Sequence, residues 1–137
     1  MDYEAFTRDL KADLRANGRI TSGPMKGRPS LILSSIGARS GETQEAVLNY
    51  TRDGGAYVIA ASKGGAPTNP DWYHNLRVHP EVTVEVDREA FRARAAIAES
   101  AERDRLWDSH AAALPWFREY PSKTDRVIPV ISLTRLD

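Results

Sequence analysis

The sequence predicts a mainly β fold, a small antiparallel barrel with helices packed outside it. Three observations carry that prediction. Short apolar runs follow one another closely between residues 31 and 61, as barrel strands do. A strong hairpin signal, Asp53-Gly54-Gly55, stands between two of them, since glycine accepts the positive φ such turns need. Val82, Val84 and Val86 alternate with Thr83 and Glu85, the period of a half-buried strand.

The N-terminal segment comes first. Tyr3, Phe6, Leu10 and Leu14 recur at helical spacing, and Asn17-Gly18 supplies a stop, so an amphipathic helix is expected over residues 1–18. Residues 23–29 are too rich in glycine and proline for a regular element. Strands are expected over Leu31 to Ile36, Ala46 to Arg52 and Tyr57 to Ala61. Asn69 is placed to cap the next helix, with Pro70 at its first position, where the missing N–H costs nothing. That helix is expected to end near Arg77, because His79 precedes a proline. Asp87-Arg88-Glu89 turns the valine strand into another, Phe91 to Ile97. Ser100 to Leu114 reads as a crossover helix stopped by Pro115. Val127 to Leu133 reads as a final strand in which Pro129 marks an edge or a bulge. The sum is six strands in a single domain over 1–137, with no repeats, linker or low-complexity tract.

Nineteen basic and nineteen acidic residues cancel, so the broad basic footprint of a nucleic-acid binder is absent. The charges are nonetheless uneven. Residues 18–41 hold Arg19, Lys26, Arg28 and Arg39 without one acid, and Lys63 is the lone charge between Gly54 and Pro70. There is no cysteine, which removes disulfides, thiolate nucleophiles and sulfur ligands, and suits a reducing compartment. No signal core and no apolar run near membrane-spanning length is present, so a cytoplasmic protein is expected.

Candidate chemistry centres on residues 61–76, ASKGGAPTNPDWYHNL. The nucleotide fingerprints do not fit: glycines follow the lysine instead of preceding it, and Gly-x-Gly-x-x-Gly occurs nowhere. A glycine pair beside Lys63 could still let backbone N–H groups approach a small anion. Arg39-Ser40 lies in the loop between the first two strands and could meet it at one barrel end. From pattern alone Trp72 reads as core ahead of a cofactor wall. His74 and His79 are five apart and His110 is on another helix, so no metal site is read and all three are taken as surface or capping histidines. No Gly-x-Ser-x-Gly supports a nucleophilic serine.

The strings Gly37-Ala38-Arg39-Ser40-Gly41, Asp53-Gly54-Gly55, Ala60 to Pro67, Asn69 to Leu76 and Thr124 to Pro129 resemble, in order and spacing, the deazaflavin-dependent nitroreductase family. The resemblance runs from about Leu31 to the C-terminus. It implies a split β-barrel of the FMN-binding split-barrel kind that binds reduced coenzyme F420, a deazaflavin with a phosphate and an acidic oligoglutamate tail. The activity it implies is hydride transfer to an electron-poor acceptor, an enone, quinone or nitroaromatic. By family position Arg39 and Ser40 would meet the phosphate and tail. Gln44, Glu45, Val47, Leu48, Ala60, Ala61, Ser62 and Lys63 would line the cofactor cleft, and Asp71, Trp72, Tyr73 and Asn75 its wall. Trp116, Phe117 and Tyr120 fall on the acceptor side, with Tyr120 and then Ser62 expected to hydrogen-bond the developing oxyanion.

Many relatives carry a basic residue where Gln44 stands and a proline where Val47 stands. Glu45 would repel an acidic tail unless turned away, and Lys26 and Arg28 are further candidates to grip that tail. Two other readings stay open, an FMN-binding split-barrel oxidoreductase and a non-catalytic deazaflavin carrier. A small-molecule acceptor, no nucleic acid, no integral membrane segment and a monomer or weak dimer complete the expectation.

Overall fold

Alternate residues of a strand face opposite sides of a sheet, and here both sides find cover. The computed structural model describes residues 3–136, so the first two positions of the expected N-terminal helix and the last residue lie outside it. Seven strands form one antiparallel sheet: β1 Ser30–Ile36, β2 Thr43–Asn49, β3 Thr51–Asp53, β4 Ala56–Ala60, β5 Glu81–Val86, β6 Glu89–Ile97 and β7 Val130–Arg135. Their spatial order is β2-β1-β5-β6-β7-β4-β3. Leu33 stands opposite Val84, Val84 opposite Phe91, and Ile59 opposite Ile131.

Leu31, Leu33, Ile59, Val82, Val84, Val86, Ile131 and Leu133 turn to one side and build the barrel core with Trp72 and Leu76. The helix α1, Tyr3–Asn17, covers the other side of β1, where Ile32 meets Leu10 and Leu14. The helix α3, Ser100–Ala113, covers β4 and β7, where Leu106 meets Val58 and Val130. Each such side chain, fully buried, contributes roughly 1.5–3 kcal/mol of hydrophobic stabilisation.

The edge strands β2 and β3 are separated in the chain by one residue, Tyr50. One sheet whose two edges are joined by a single residue must curl until they lie side by side, which is the split barrel. The expected strand Ala46 to Arg52 is therefore two strands, and the count is seven, not six. Tyr50 N–H donates to the Pro29 carbonyl at 3.1 Å, and the next residue already pairs with β4.

Two local expectations are corrected, and one turn is defined. Pro70, in extended conformation, is the N-cap of α2, Asp71–Val78, and Asn69 does not cap it; its Oδ1 accepts from Arg126 instead. The last strand begins at Val130 and is central, between β6 and β4, so Pro129 precedes it and marks neither an edge nor a bulge. The Asp87-Arg88 turn places both residues at positive φ, 53° and 64°, the type I′ backbone that suits the twist of a two-residue hairpin.

Candidate functional site

The chain leaving β4 makes a tight left-handed turn through Lys63 (φ 48°), Gly64 (φ 63°) and Gly65 (φ 84°). Gly65 N–H donates to the Ser62 carbonyl and Ala66 N–H to the Lys63 carbonyl, so one glycine donor expected to face an anion closes the turn itself. A Cβ on Gly65 would stand 2.7 Å from Lys123 Cβ. That glycine is required by the 3-10 segment Pro115–Lys123 packed upon it. Lys63 is exposed and its Nζ reaches the Thr68 hydroxyl at 3.2 Å.

Arg126 fixes the rest of this loop. Its guanidinium donates to the carbonyls of Ala61 (2.9 Å), Ser62 (2.7 Å) and Ala66 (2.9 Å) and to Asn69 Oδ1 (2.8 Å). Burial lowers its pKa from the ordinary arginine value. Residue-type reasoning overlooked Arg126 as a site residue, although it lies in one of the strings that carry the family resemblance.

Asn75 performs the equivalent task for the loop between β1 and β2. Its Oδ1 accepts from Ala38 N–H at 2.9 Å, and its Nδ2 donates to Ser35 Oγ (3.1 Å) and Gln44 Oε1 (2.9 Å). Within that loop a Cβ on Gly37 would overlap the Ser40 hydroxyl, so a side chain there requires Ser40 to move.

These supports leave two clefts. One, of about 550 Å³, is lined by residues 37–40, Gln44, Asp71, His74 and Asn75. The other, of about 390 Å³, runs beside β2 past Glu45, Val47 and Leu48 to Ala60, Lys63 and Trp72. Both include Gln44 and Asp71, so they adjoin as one trough, with Arg39 on the first cleft and Lys63 on the second. Glu45 is turned toward α1: Lys11 Nζ lies 3.0 Å and Arg15 2.6 Å from its carboxylate, and they hold its pKa below the ordinary value. The anticipated repulsion is thereby neutralised.

Other expected site residues lie elsewhere. Ala61 is wholly inside the barrel core, and Ser62 is almost buried. Tyr73 faces a separate hollow shared with Arg103 and Pro129. Phe117 is buried against His110, with ring centroids 4.6 Å apart, while Tyr120 is half-buried with its ring against Phe117. Trp116, Lys26 and Arg28 line another groove, away from Arg39. His74, read as a surface residue, lines the trough. His110 is completely buried instead of capping or exposed.

A sequence profile described as F420H(2)-dependent quinone reductase matches residues 6–135. An F420H(2)-dependent quinone reductase of Mycobacterium tuberculosis is 40% identical over 125 residues, covering 87% of this chain and 82% of the relative. Among solved structures, an F420-H2 dependent reductase (FDR-A) superposes with a TM-score of 0.71 at 36% identity, over 77% of this chain and 94% of that one. A solved domain-swapped dimer gives a TM-score of 0.72 at 30% identity, over 95% and 98% of the two chains.

Proposed function

The chain belongs to the F420H(2)-dependent quinone reductase family, and on that premise we propose which of its residues hold the coenzyme and the acceptor. It is an oxidoreductase that uses reduced coenzyme F420. When bound, the deazaflavin supplies a hydride. The chain must then hold donor and acceptor carbons in contact, roughly 3–3.5 Å apart, and keep water out.

One observation carries the assignment: the trough is polar at one end, where Arg39 stands near Asp71, and richer in apolar side chains at the other. Arg39, Ser40 and His74 line the first end, and Leu48, Ala60 and Trp72 the second. A coenzyme with an anionic phosphate and tail at one end and a flat aromatic ring at the other matches that polarity. Arg39 and Ser40 receive the phosphate and tail, and Lys63 adds a positive charge at the other end of the trough. Gln44, Val47, Leu48, Ala60 and Trp72 flank the ring, and Asn75 and Arg126 act as positioning residues. Ala61 and Tyr73 serve from behind by packing.

A quinone is the acceptor that the family description favours. As it gains the hydride, negative charge develops on its oxygen, and a hydroxyl aimed there stabilises it. Tyr120 is assigned that role and Ser62 the second, since the segment bearing Tyr120 packs directly on the Lys63–Gly65 turn. Phe117 holds the Tyr120 ring. We further read the chain as one domain working in the cytoplasm as a monomer or weak dimer. No described helix is long and apolar enough to cross a membrane, and the chain has no cysteine to oxidise.

The test is calorimetric titration with F420 and with FMN, followed by menadione reduction with reduced F420. The reading expects F420 to bind more tightly than FMN and menadione to be turned over. Tyr120→Phe should lower turnover and leave F420 affinity unchanged. Equal or tighter FMN binding overturns the coenzyme assignment, and F420 binding without turnover of any acceptor makes the protein a carrier. A Tyr120→Phe variant that loses coenzyme affinity puts Tyr120 in the other half of the site.

A further inference from the structure

A second concave surface, of about 720 Å³, lies between the loop preceding β1, strand β3 and the end of α3. Lys26, Arg28 and Arg52 line it, and no carboxylate does. Elsewhere Arg15, Arg105 and Arg135 each hold a carboxylate within 2.6–3.0 Å. Among the described residues, the cations of this groove have no such partner.

Two of the three are also held in place. The Arg28 guanidinium lies 4.1 Å from the Trp116 ring centroid, and that of Arg52 lies 4.0 Å from the Tyr57 centroid. Stacking restrains a guanidinium and leaves its in-plane N–H donors free for a planar anion. Tyr50, Leu114 and Trp116 supply the apolar and aromatic part of the lining.

We propose that this groove is a second small-molecule site, for a planar aromatic carboxylate. The carboxylate would take a forked pair of hydrogen bonds from Arg28 or Arg52, and the ring would lie against Trp116 and Tyr50. The groove is separate from the coenzyme trough. Ala60, which lines the trough, and Leu114, which lines the groove, belong to one buried apolar cluster with Phe117, so a packed wall stands between them. Lys26 and Arg28 therefore act here, and the acidic tail is left to the Arg39 end.

The test uses 2-naphthoate, titrated by calorimetry into the protein alone and into protein saturated with F420. One saturable site is expected, with a Kd equal within about twofold in the two titrations. Neutral 2-naphthol, which keeps the ring, and acetate, which keeps the charge, should each bind at least about tenfold more weakly. Arg28→Gln and Arg52→Gln should each weaken 2-naphthoate about tenfold, with unchanged melting temperature and unchanged F420 titration. Absence of saturation at millimolar 2-naphthoate, displacement by F420, or unaltered binding in both variants overturns the proposal. The titration without coenzyme reads this groove alone, so failure of the coenzyme assignment shows up separately, in the F420 titration.

Discussion

Asn75 is a helix residue with almost no exposed surface, yet all of its amide is directed at the rim of the trough. Replacing it with alanine leaves the buried Ser35 hydroxyl and the half-buried Ala38 N–H without their partner, and a buried polar group so deprived costs about 1–3 kcal/mol. Asn75→Ala should therefore lose about 2–3 kcal/mol in urea denaturation and bind F420 about tenfold more weakly, because the loop bearing Arg39 loses its tether. Unchanged affinity would mean that the loop is held by its own Gly37–Glu42 and Gly41–Gly37 bonds. Lys63 presents the opposite case. It is exposed, with only the Thr68 hydroxyl in reach, so Lys63→Ala should weaken F420 by under about 1 kcal/mol, an effect that fades at high salt. A salt-independent loss of tenfold or more would place Lys63 in dry contact with the coenzyme. Both side chains stand in strings visible in the sequence. Arg126 was harder to read, because three of its four acceptors are backbone carbonyls, 60–65 residues away, which no pattern of side chains announces.

At the scale of elements, α1 is attached to the sheet in two ways. Leu10 and Leu14 pack on Ile32, and a chain of ions runs Lys11–Glu45–Arg15–Glu85. The apolar half was legible from the spacing of Tyr3, Phe6, Leu10 and Leu14, although Tyr3 itself remains exposed. The ionic half was not, since Glu45 and Glu85 are brought together only because β1 pairs with both β2 and β5. Its side chains are partly exposed, so Glu45→Gln should cost no more than about 1 kcal/mol at low salt and less at 0.5 M. The sign with pH follows from the direction of the shift. Lys11 and Arg15 depress the Glu45 pKa, so this contribution is present above the ordinary glutamate value and lost as pH falls through the depressed one. Melting curves of the wild type and Glu45→Gln should converge in acid and in salt. A difference that survives 0.5 M salt would mean that Glu45 shapes the β2 edge by packing. The start of α2 shows a different limit of sequence reading, because Asn-Pro fits a capping pair equally well with either residue at the N-cap.

Across the whole molecule, the barrel was legible from hairpins and alternation, whereas its closure was not. Closure depends on one residue, Tyr50, leaving the β1 ladder for β4, and on what seals the barrel wall outside that joint. His110 sits in that seal. It lies one helical turn beyond Leu106 and one before Leu114, both buried, a spacing that marks it as inward-facing. It is fully buried, shares a 2.8 Å hydrogen bond with the Thr51 hydroxyl of β3, and packs edge-on against Phe117. Its Nε2 has no partner, so a proton there would be buried without an acceptor, and burial pushes the pKa down from 6.5 to about 4. The folded chain therefore holds His110 neutral, while the unfolded chain begins to protonate it near pH 6.5. Stability from this residue is complete above that pH and declines as pH falls toward 4, by about 3 kcal/mol in all. The depressed carboxylates, Asp13, Glu45, Asp53 and Glu102, lose their contributions only below their ordinary values, so the interval between pH 6.5 and 4.5 belongs to the histidine. Urea denaturation at pH 7.5, 6.0, 5.0 and 4.5 should show the decline in the wild type and a much flatter profile in His110→Leu, in which the half-buried Thr51 hydroxyl can turn to water. A wild type that keeps its full stability at pH 4.5 would show that the barrel accommodates an imidazolium, which requires an acceptor reaching Nε2 through the seal.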